Sequence, residues 1–309
     1  MRERQPWMVI TMLLVWTALY LVALRSARGQ AAFRPDEHTI HAGESPVAAN
    51  ASAVSSPVKD TAGQQTHNDD NRNPLSRQNS GATSGEKKVI VIGFVGGFVK
   101  HDDAKHAEVQ FAALLRDRYA SGVTAEVFGN HERQQALRKI LLLLDTNGDG
   151  ALTPTEKEHA RIIIYGHSWG ASETVTLARE LGRRGIPVLL TIQVDSIAKP
   201  GQVDFTIPAN VANAVNFYQS GGLLHGHSEI SAEDPALTNI IGNYRMTYKD
   251  HPIKCDDYPW YSRFFMKSHL EIEGDPRVWD QAASLIGLEL SGTRTTDQTS
   301  SAVKASLSK

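Results

Sequence analysis

Between residues 88 and 291 the apolar and polar positions alternate between two textures. Short, nearly continuous apolar runs have the length and β-branched content of strands buried on both faces: "KKVIVIGFVGG" from residue 87, "VTAEVF" from 123, "RIIIYGHS" from 161, "PVLLTIQVD" from 187 and "VANAVNFYQ" from 211. Between them lie longer stretches whose apolar residues recur at three- and four-residue spacing, the mark of amphipathic helices: "DAKHAEVQFAALLRDRYA", "HERQQALRKILLLL" and "ASETVTLARELGRRG". "RVWDQAASLIGLEL" predicts a closing helix, with Asp275 as its N-cap and Pro276 in its first turn. Strands that cross over to helices in this way predict a mostly parallel sheet covered by helices on both faces, a three-layer α/β fold. Apart from "VANAVNFYQ", the stretch 198–262 gives no comparable pattern, and its packing cannot be derived from it.

The flanks read differently. Residues 30–87 are rich in Ala, Ser, Asn, Gln, Gly and Pro without a sustained hydrophobic period, and 292–309 likewise, so both are expected to be disordered. Arg2 and Arg4 precede an apolar run over residues 8–24, and Ala27 and Gly29 place small residues before Gln30. Residues 1–29 are therefore expected to act as a signal peptide or an uncleaved membrane anchor, making the protein exported or membrane-tethered. The whole chain has 309 residues, 21% charged, with a formal net charge of -2, which gives no electrostatic footprint for nucleic acid. Its single cysteine, Cys255, cannot close an internal disulfide. Asp256 and Asp257 beside it would raise a thiol pKa, so Cys255 reads as a spectator.

One apolar strand ends in chemistry. "RIIIYGHS" runs into Gly166-His167-Ser168-Trp169-Gly170 and then into a helix. A sharp strand-to-helix turn lifts a serine hydroxyl above the carboxyl edge of a sheet, and flanking glycines allow the strained backbone and close packing. Ser168 is the predicted nucleophile; the competing reading is a plain turn. Four histidines follow it, and His269 in "KSHLEIEGDPRVW", expected after a short apolar strand and before the last helix, is the candidate base over His225, His227 and His251. His225 and His227, in a glycine loop without a third ligand at a suggestive spacing, read as solvated.

On "GHSWG", on "GFVGG" after the first strand and on the order of candidate partners, the region 88–291 resembles the α/β-hydrolase superfamily, in particular its small lipase, esterase and thioesterase-like members. The resemblance implies a chain order of nucleophile, acid and histidine. Many members carry the acid one strand later than Asp195, but here the corresponding strand ends in Gln219 and Ser220. Asp195 is therefore the candidate acid, with Asp204, Glu229 and Asp234 as alternatives. The resemblance also implies an oxyanion hole from the backbone N–H of Trp169 and of Phe94, or of Val95 in place of Phe94. "GFVGGF" lacks the glycine spacing of a nucleotide loop.

A second motif lies in "DTNGDGALTPTE", residues 145–156, which matches a twelve-residue calcium loop. Asp145, Asn147 and Asp149 supply side-chain oxygens, Ala151 a carbonyl, Thr153 a hydroxyl or bridging water, and Glu156 a closing carboxylate, with Gly150 at the sharp turn. Such loops ordinarily come in pairs, and the chain has one. The combined expectation is a serine hydrolase acting on carboxylic esters (lipid, polyester, thioester or small ester), stabilised by calcium and free of organic cofactor. The competing class is a non-catalytic, calcium-dependent surface or binding protein on the same scaffold.

Overall fold

A computed structural model describes residues 88–292. The expectations for the N-terminal segment, the linker and the C-terminal tail beyond Gly292 lie outside the described residues. Six strands form one sheet in the order β2-β1-β3-β4-β6-β8, and every neighbouring pair is parallel. They are β1 (Val89–Phe94), β2 (Val123–Phe128), β3 (Ile162–His167), β4 (Val188–Val194), β6 (Val211–Gln219) and β8 (Asn239–Met246). Two short strands, β5 (Thr206–Ile207) and β7 (Ser231–Ala232), pair separately.

Side-chain alternation sorts the apolar residues into two cores. On one face Val89 and Val91, Ile163 and Tyr165, and Leu190, Ile192 and Val194 pack against α1 (Ala107–Arg118) and α7 (Pro276–Ser291). On the other, Ile90, Ile92 and Phe94, with Ile162 and Ile164, meet α2 (Arg133–Leu144) and α4 (Trp169–Arg183). The result is the three-layer α/β fold read from the sequence. All six residues of β1 and of β3 are buried, which is why β1 throughout, and β3 up to its terminal His167, are apolar rather than alternating. Asp275 caps α7 by accepting the Arg277 N–H at 3.0 Å, with Pro276 in the first turn as expected. Among the described residues no helix is long and apolar enough to cross a membrane.

The 198–262 stretch holds what the pattern concealed. β8, "NIIGNYRM", is a partly exposed edge strand whose Asn239 and Asn243 bond Asn213 and Asn216 of β6 through their side chains. Polar cross-strand pairs replace the apolar signal there. The segment before His269 is also not a strand: α5 (Trp260–Phe265) and α6 (Lys267–Glu273) occupy it, and His269 sits within the first turn of α6.

Candidate active site

β3 ends at His167 and α4 begins at Trp169, leaving Ser168 alone to make the reversal, with φ 57° and ψ -125°. Such a backbone in a residue with a Cβ costs on the order of 1–3 kcal/mol, and it persists only where its surroundings over-determine it. Here they do. The Ser168 N–H donates to Val194 O at 3.0 Å, and its carbonyl accepts from Ala171 N at 3.0 Å and Ile197 N at 3.2 Å. A Cβ on Gly170 would stand 2.2 Å from Phe94 O, and one on Gly166 would stand 2.5 Å from the Gly170 carbonyl carbon, so the helix reaches the strands only through bare backbone.

Asp195, one residue beyond β4, also has a positive φ of 43°. Its carboxylate is fully buried and fully engaged. Oδ2 accepts from His269 Nδ1 at 2.6 Å and from Gln219 Nε2 at 2.7 Å, while Oδ1 accepts from Gly226 N at 2.7 Å and Gln219 N at 3.4 Å. Burial acts to raise this carboxyl, but the His269 hydrogen bond and charge, then Gln219 and Gly226, offset it and hold it below the ordinary aspartate value. Because a carboxylate only accepts, His269 carries its proton on Nδ1 and presents the Nε2 lone pair, the form a general base needs. Of the other candidate acids, Asp204 is taken by the Ser196 hydroxyl at 2.5 Å and His227 Nε2 at 3.1 Å. Glu229 is exposed, and so are His225, His227 and His251.

The structure thus brings Asp195 and His269 together beside the Ser168 turn. The link to the serine runs through its neighbour: the His167 ring lies 4.5 Å from the His269 ring, centroid to centroid, and His167 Nε2 donates to His269 O at 3.2 Å. Among the described residues no hydrogen bond joins the Ser168 hydroxyl to His269. That contact is often long before substrate binds.

For the oxyanion donors the positions differ from the sequence expectation. Phe94 is the last ladder residue of β1, in register with Phe128 and Gly166, with its ring in the core. The alternation that starts with Ile90 N donating to Arg161 O at 2.9 Å turns the Phe94 N–H toward β3, and Val95 N donates to Phe128 O at 3.1 Å. Both amides belong to the sheet. It is Gly96 and Gly97 that approach the serine: a Cβ on Gly96 would lie 3.5 Å from Ser168 Cβ, and one on Gly97 would lie 2.8 Å from the Trp169 ring. Trp169 opens α4 next to the nucleophile candidate.

The 145–156 loop joins α2 to the short helix α3 (Pro154–Glu158). Asp145 receives the Gly148 and Gly150 amides, each at 2.8 Å, and Asn147 and Asp149 bond each other. Asp149 also receives the Ala151 amide at 2.8 Å. Glu156 forms a capping box with Thr153 and accepts from Thr146 N and Oγ1 at 2.7 Å. The Thr153 amide, then the Thr146 hydroxyl and amide, hold its carboxyl down at about 2. Far from this loop, burial and then Glu271 push the Cys255 thiol up to about 11, in keeping with a spectator.

Several residues at the site had escaped notice. Gln219 and Gly226 hold the acid, while His167, His106, Glu108 and Glu273 form a polar group behind the serine. The available signal was a histidine at the end of an otherwise apolar buried strand. Burial, then the His269 ring, brings His167 down to about 4. Burial and Glu273 push Glu108 well above the carboxylate range, against a smaller pull from the Glu108 and Gly96 amides.

No family model matches the chain, and no curated protein matches it significantly. Among solved structures, it is similar to a cutinase-like protein from Cryptococcus sp., at 14% identity and a TM-score of 0.38, over 67% of this chain and 97% of that one. It is also similar to the RedJ thioesterase of the prodiginine biosynthetic pathway in Streptomyces coelicolor, at 11% identity and a TM-score of 0.34, over 65% and 90% of the two chains.

Proposed function

We propose that this chain is a serine hydrolase that cleaves carboxylic esters or thioesters through an acyl-enzyme intermediate. One observation carries the reading: a strained serine stands at the strand end beside a buried Asp195–His269 pair whose Nε2 is free to accept a proton. In the reaction Ser168 Oγ attacks the carbonyl carbon while His269 Nε2 takes its proton. The imidazolium so formed is stabilised by Asp195, then protonates the departing alcohol or thiol. Water repeats the sequence on the acyl-serine and releases the acid. The developing oxyanion is held by the Trp169 amide together with the Gly96–Gly97 backbone, the part of the "GFVGG" loop that approaches Ser168.

Apolar surface on the segments around the site supports an apolar acyl group. Phe98, Leu223, Trp260 and Phe264 are 70%, 89%, 71% and 76% exposed. The proposal includes calcium at Asp145, Asn147, Asp149, Ala151, Thr153 and Glu156, an all-oxygen set suited to a hard cation, with Glu156 giving up its Thr146 contacts to ligate. It also includes export or membrane anchoring through residues 8–24, which rests on the sequence alone.

Labelling with a fluorophosphonate tests the enzyme against the binding-protein alternative. Stoichiometric labelling of the native chain, lost in Ser168→Ala and strongly slowed in His269→Ala, is the expected result. A native chain that neither labels nor turns over p-nitrophenyl esters of any acyl length overturns the reading.

A further inference from the structure

Behind the Ser168 turn, buried lone pairs face one another and outnumber the hydrogens set among them, those of His106 Nδ1 and the Tyr258 hydroxyl, both on Glu273. His167 Nε2 lies 3.2 Å from His269 O, and a carbonyl oxygen only accepts, so the ring proton is on Nε2. The side chain of His167 is 4% exposed, where a neutral ring is far cheaper than a charged one. Its Nδ1 therefore offers a lone pair, and it points it at two carboxylates: Glu273 Oε2 at 3.5 Å and Glu108 Oε1 at 3.8 Å. Glu108 is fully buried in the first turn of α1, where its own amide and that of Gly96 lie near its carboxyl but neither oxygen is held in a well-formed hydrogen bond. Glu273, at the end of α6, is also buried, and its Oε1 lies 2.6 Å from His106 Nδ1. Donor atoms of His106, Glu108 and Glu273 all fall within 4.8 Å of one another.

His106 and Tyr258 meet Glu273, but His167 Nδ1 and the Glu108 oxygens are left as acceptors at a range that favours a cation. A single proton on Glu108 would bridge one pair and leave the other Glu108 oxygen unmet. A divalent ion that displaces the His106 Nδ1 proton engages every member, and two carboxylates with two imidazoles then neutral and one such ion sum to zero charge in the buried space. The second nitrogen of His167, donated to a backbone carbonyl, is the arrangement that orients a metal-ligating histidine and fixes its tautomer.

We propose that His106, Glu108, His167 and Glu273 form a buried binding site for a zinc-class divalent metal ion. Imidazole nitrogens and carboxylate oxygens are both zinc ligands, and four of them from protein close a tetrahedral site, whereas calcium prefers six to eight oxygens. Ligand atoms around zinc stand roughly 3.3 Å apart, so the Glu108 and Glu273 side chains turn inward slightly on binding and the His106–Glu273 contact opens. With all four positions filled by protein, the ion does not meet substrate. It ties the start of α1, the end of β3 and the end of α6 to one point behind the elbow. The site stands whether or not Ser168 turns over esters.

The test uses the full chain, stripped with a chelator and then titrated. Expected are one zinc per chain by elemental analysis, a rise in Tm on adding zinc, and a Co2+ derivative whose visible d–d absorption saturates at one equivalent with tetrahedral intensity. Glu108→Gln should weaken zinc binding at least tenfold and abolish the cobalt band, while Asp145→Ala, in the separate loop, leaves both unchanged. A native chain that retains no zinc, gives no cobalt band and shows no zinc-dependent Tm overturns the proposal. So does a Glu108→Gln chain that binds zinc as the native one does.

Discussion

Gln219 donates its side-chain N–H to Asp195 Oδ2, the same oxygen that accepts the His269 Nδ1 proton. Gln219 closes β6, the strand next to β4, so the amide that braces Asp195 comes from the neighbouring strand. A hydrogen bond to a charged group contributes about 1.5–3 kcal/mol. Gln219→Leu should accordingly lower kcat on a p-nitrophenyl ester by roughly ten- to a hundredfold, with fluorophosphonate labelling slowed in step. The paired exchange is more telling. Asp195→Asn with Gln219→Glu should recover part of the activity lost in Asp195→Asn alone, and no recovery would mean that the carboxylate can act on His269 only from β4.

Close backbone contact at the elbow makes a stability prediction. Gly170→Ala drives a methyl into Phe94 O, a backbone atom that cannot rotate away. Overpacking of this kind costs about 1–3 kcal/mol, and here the strain falls on the Ser168 turn itself. Urea unfolding should show a lower midpoint with an unchanged slope, and serine labelling should fall further than stability does. Equal loss of both would place the effect in the core rather than at the turn.

The Asp204–His227 pair predicts a pH effect. Its hydrogen bond to Asp204 raises His227 above 6.5, against the opposing effect of burial. A histidine raised on folding stabilises the fold fully below its unfolded pKa, and that contribution is lost as pH rises through the folded value. Stability measured by urea should therefore decline on the alkaline side of pH 6.5. Asp204→Asn should flatten this decline and return the His227 NMR titration toward its ordinary midpoint. An unaltered His227 titration in that variant would show that the contact is not kept in solution.

Calcium at the 145–156 loop should act on stability before it acts on turnover. A ligand that binds only the folded chain stabilises it by about 2.7 kcal/mol at a hundredfold excess over its Kd. Calcium should raise Tm, chelation should lower it, and Glu156→Gln should erase the response while serine labelling survives. Calorimetry with neither a calcium heat nor a Tm shift would reduce the loop to a capped turn.

How much of this could be read beforehand follows from which physics each residue obeys. β1, β3, β4 and β6 were legible because burial on both faces makes most of their side chains apolar. The strand-to-helix turn at Ser168 was legible because its glycines are demanded by contacts to backbone. β8 was not, since its pairing with β6 runs through asparagines that resemble loop residues. Nor was the amide of Phe94, because commitment to a ladder is a matter of register, which composition does not carry. Glu108 and Glu273 lie 165 residues apart and read separately as ordinary charges on helices; only packing discloses that they meet.

His167 and Ser168 are consecutive, yet one works behind the sheet and the other above its edge. β3 is therefore a sorting device: its two-residue period assigns Tyr165 and His167 to one side and leaves Gly166 to take the helix on the other. Swapping one aliphatic residue for another along Ile162–Ile164 keeps that assignment. Adding or removing a single residue there exchanges the two sides, sending an imidazole toward α4 and a bare glycine toward the carboxylates. Change of length, rather than change of side chain, is the mutation this strand cannot absorb.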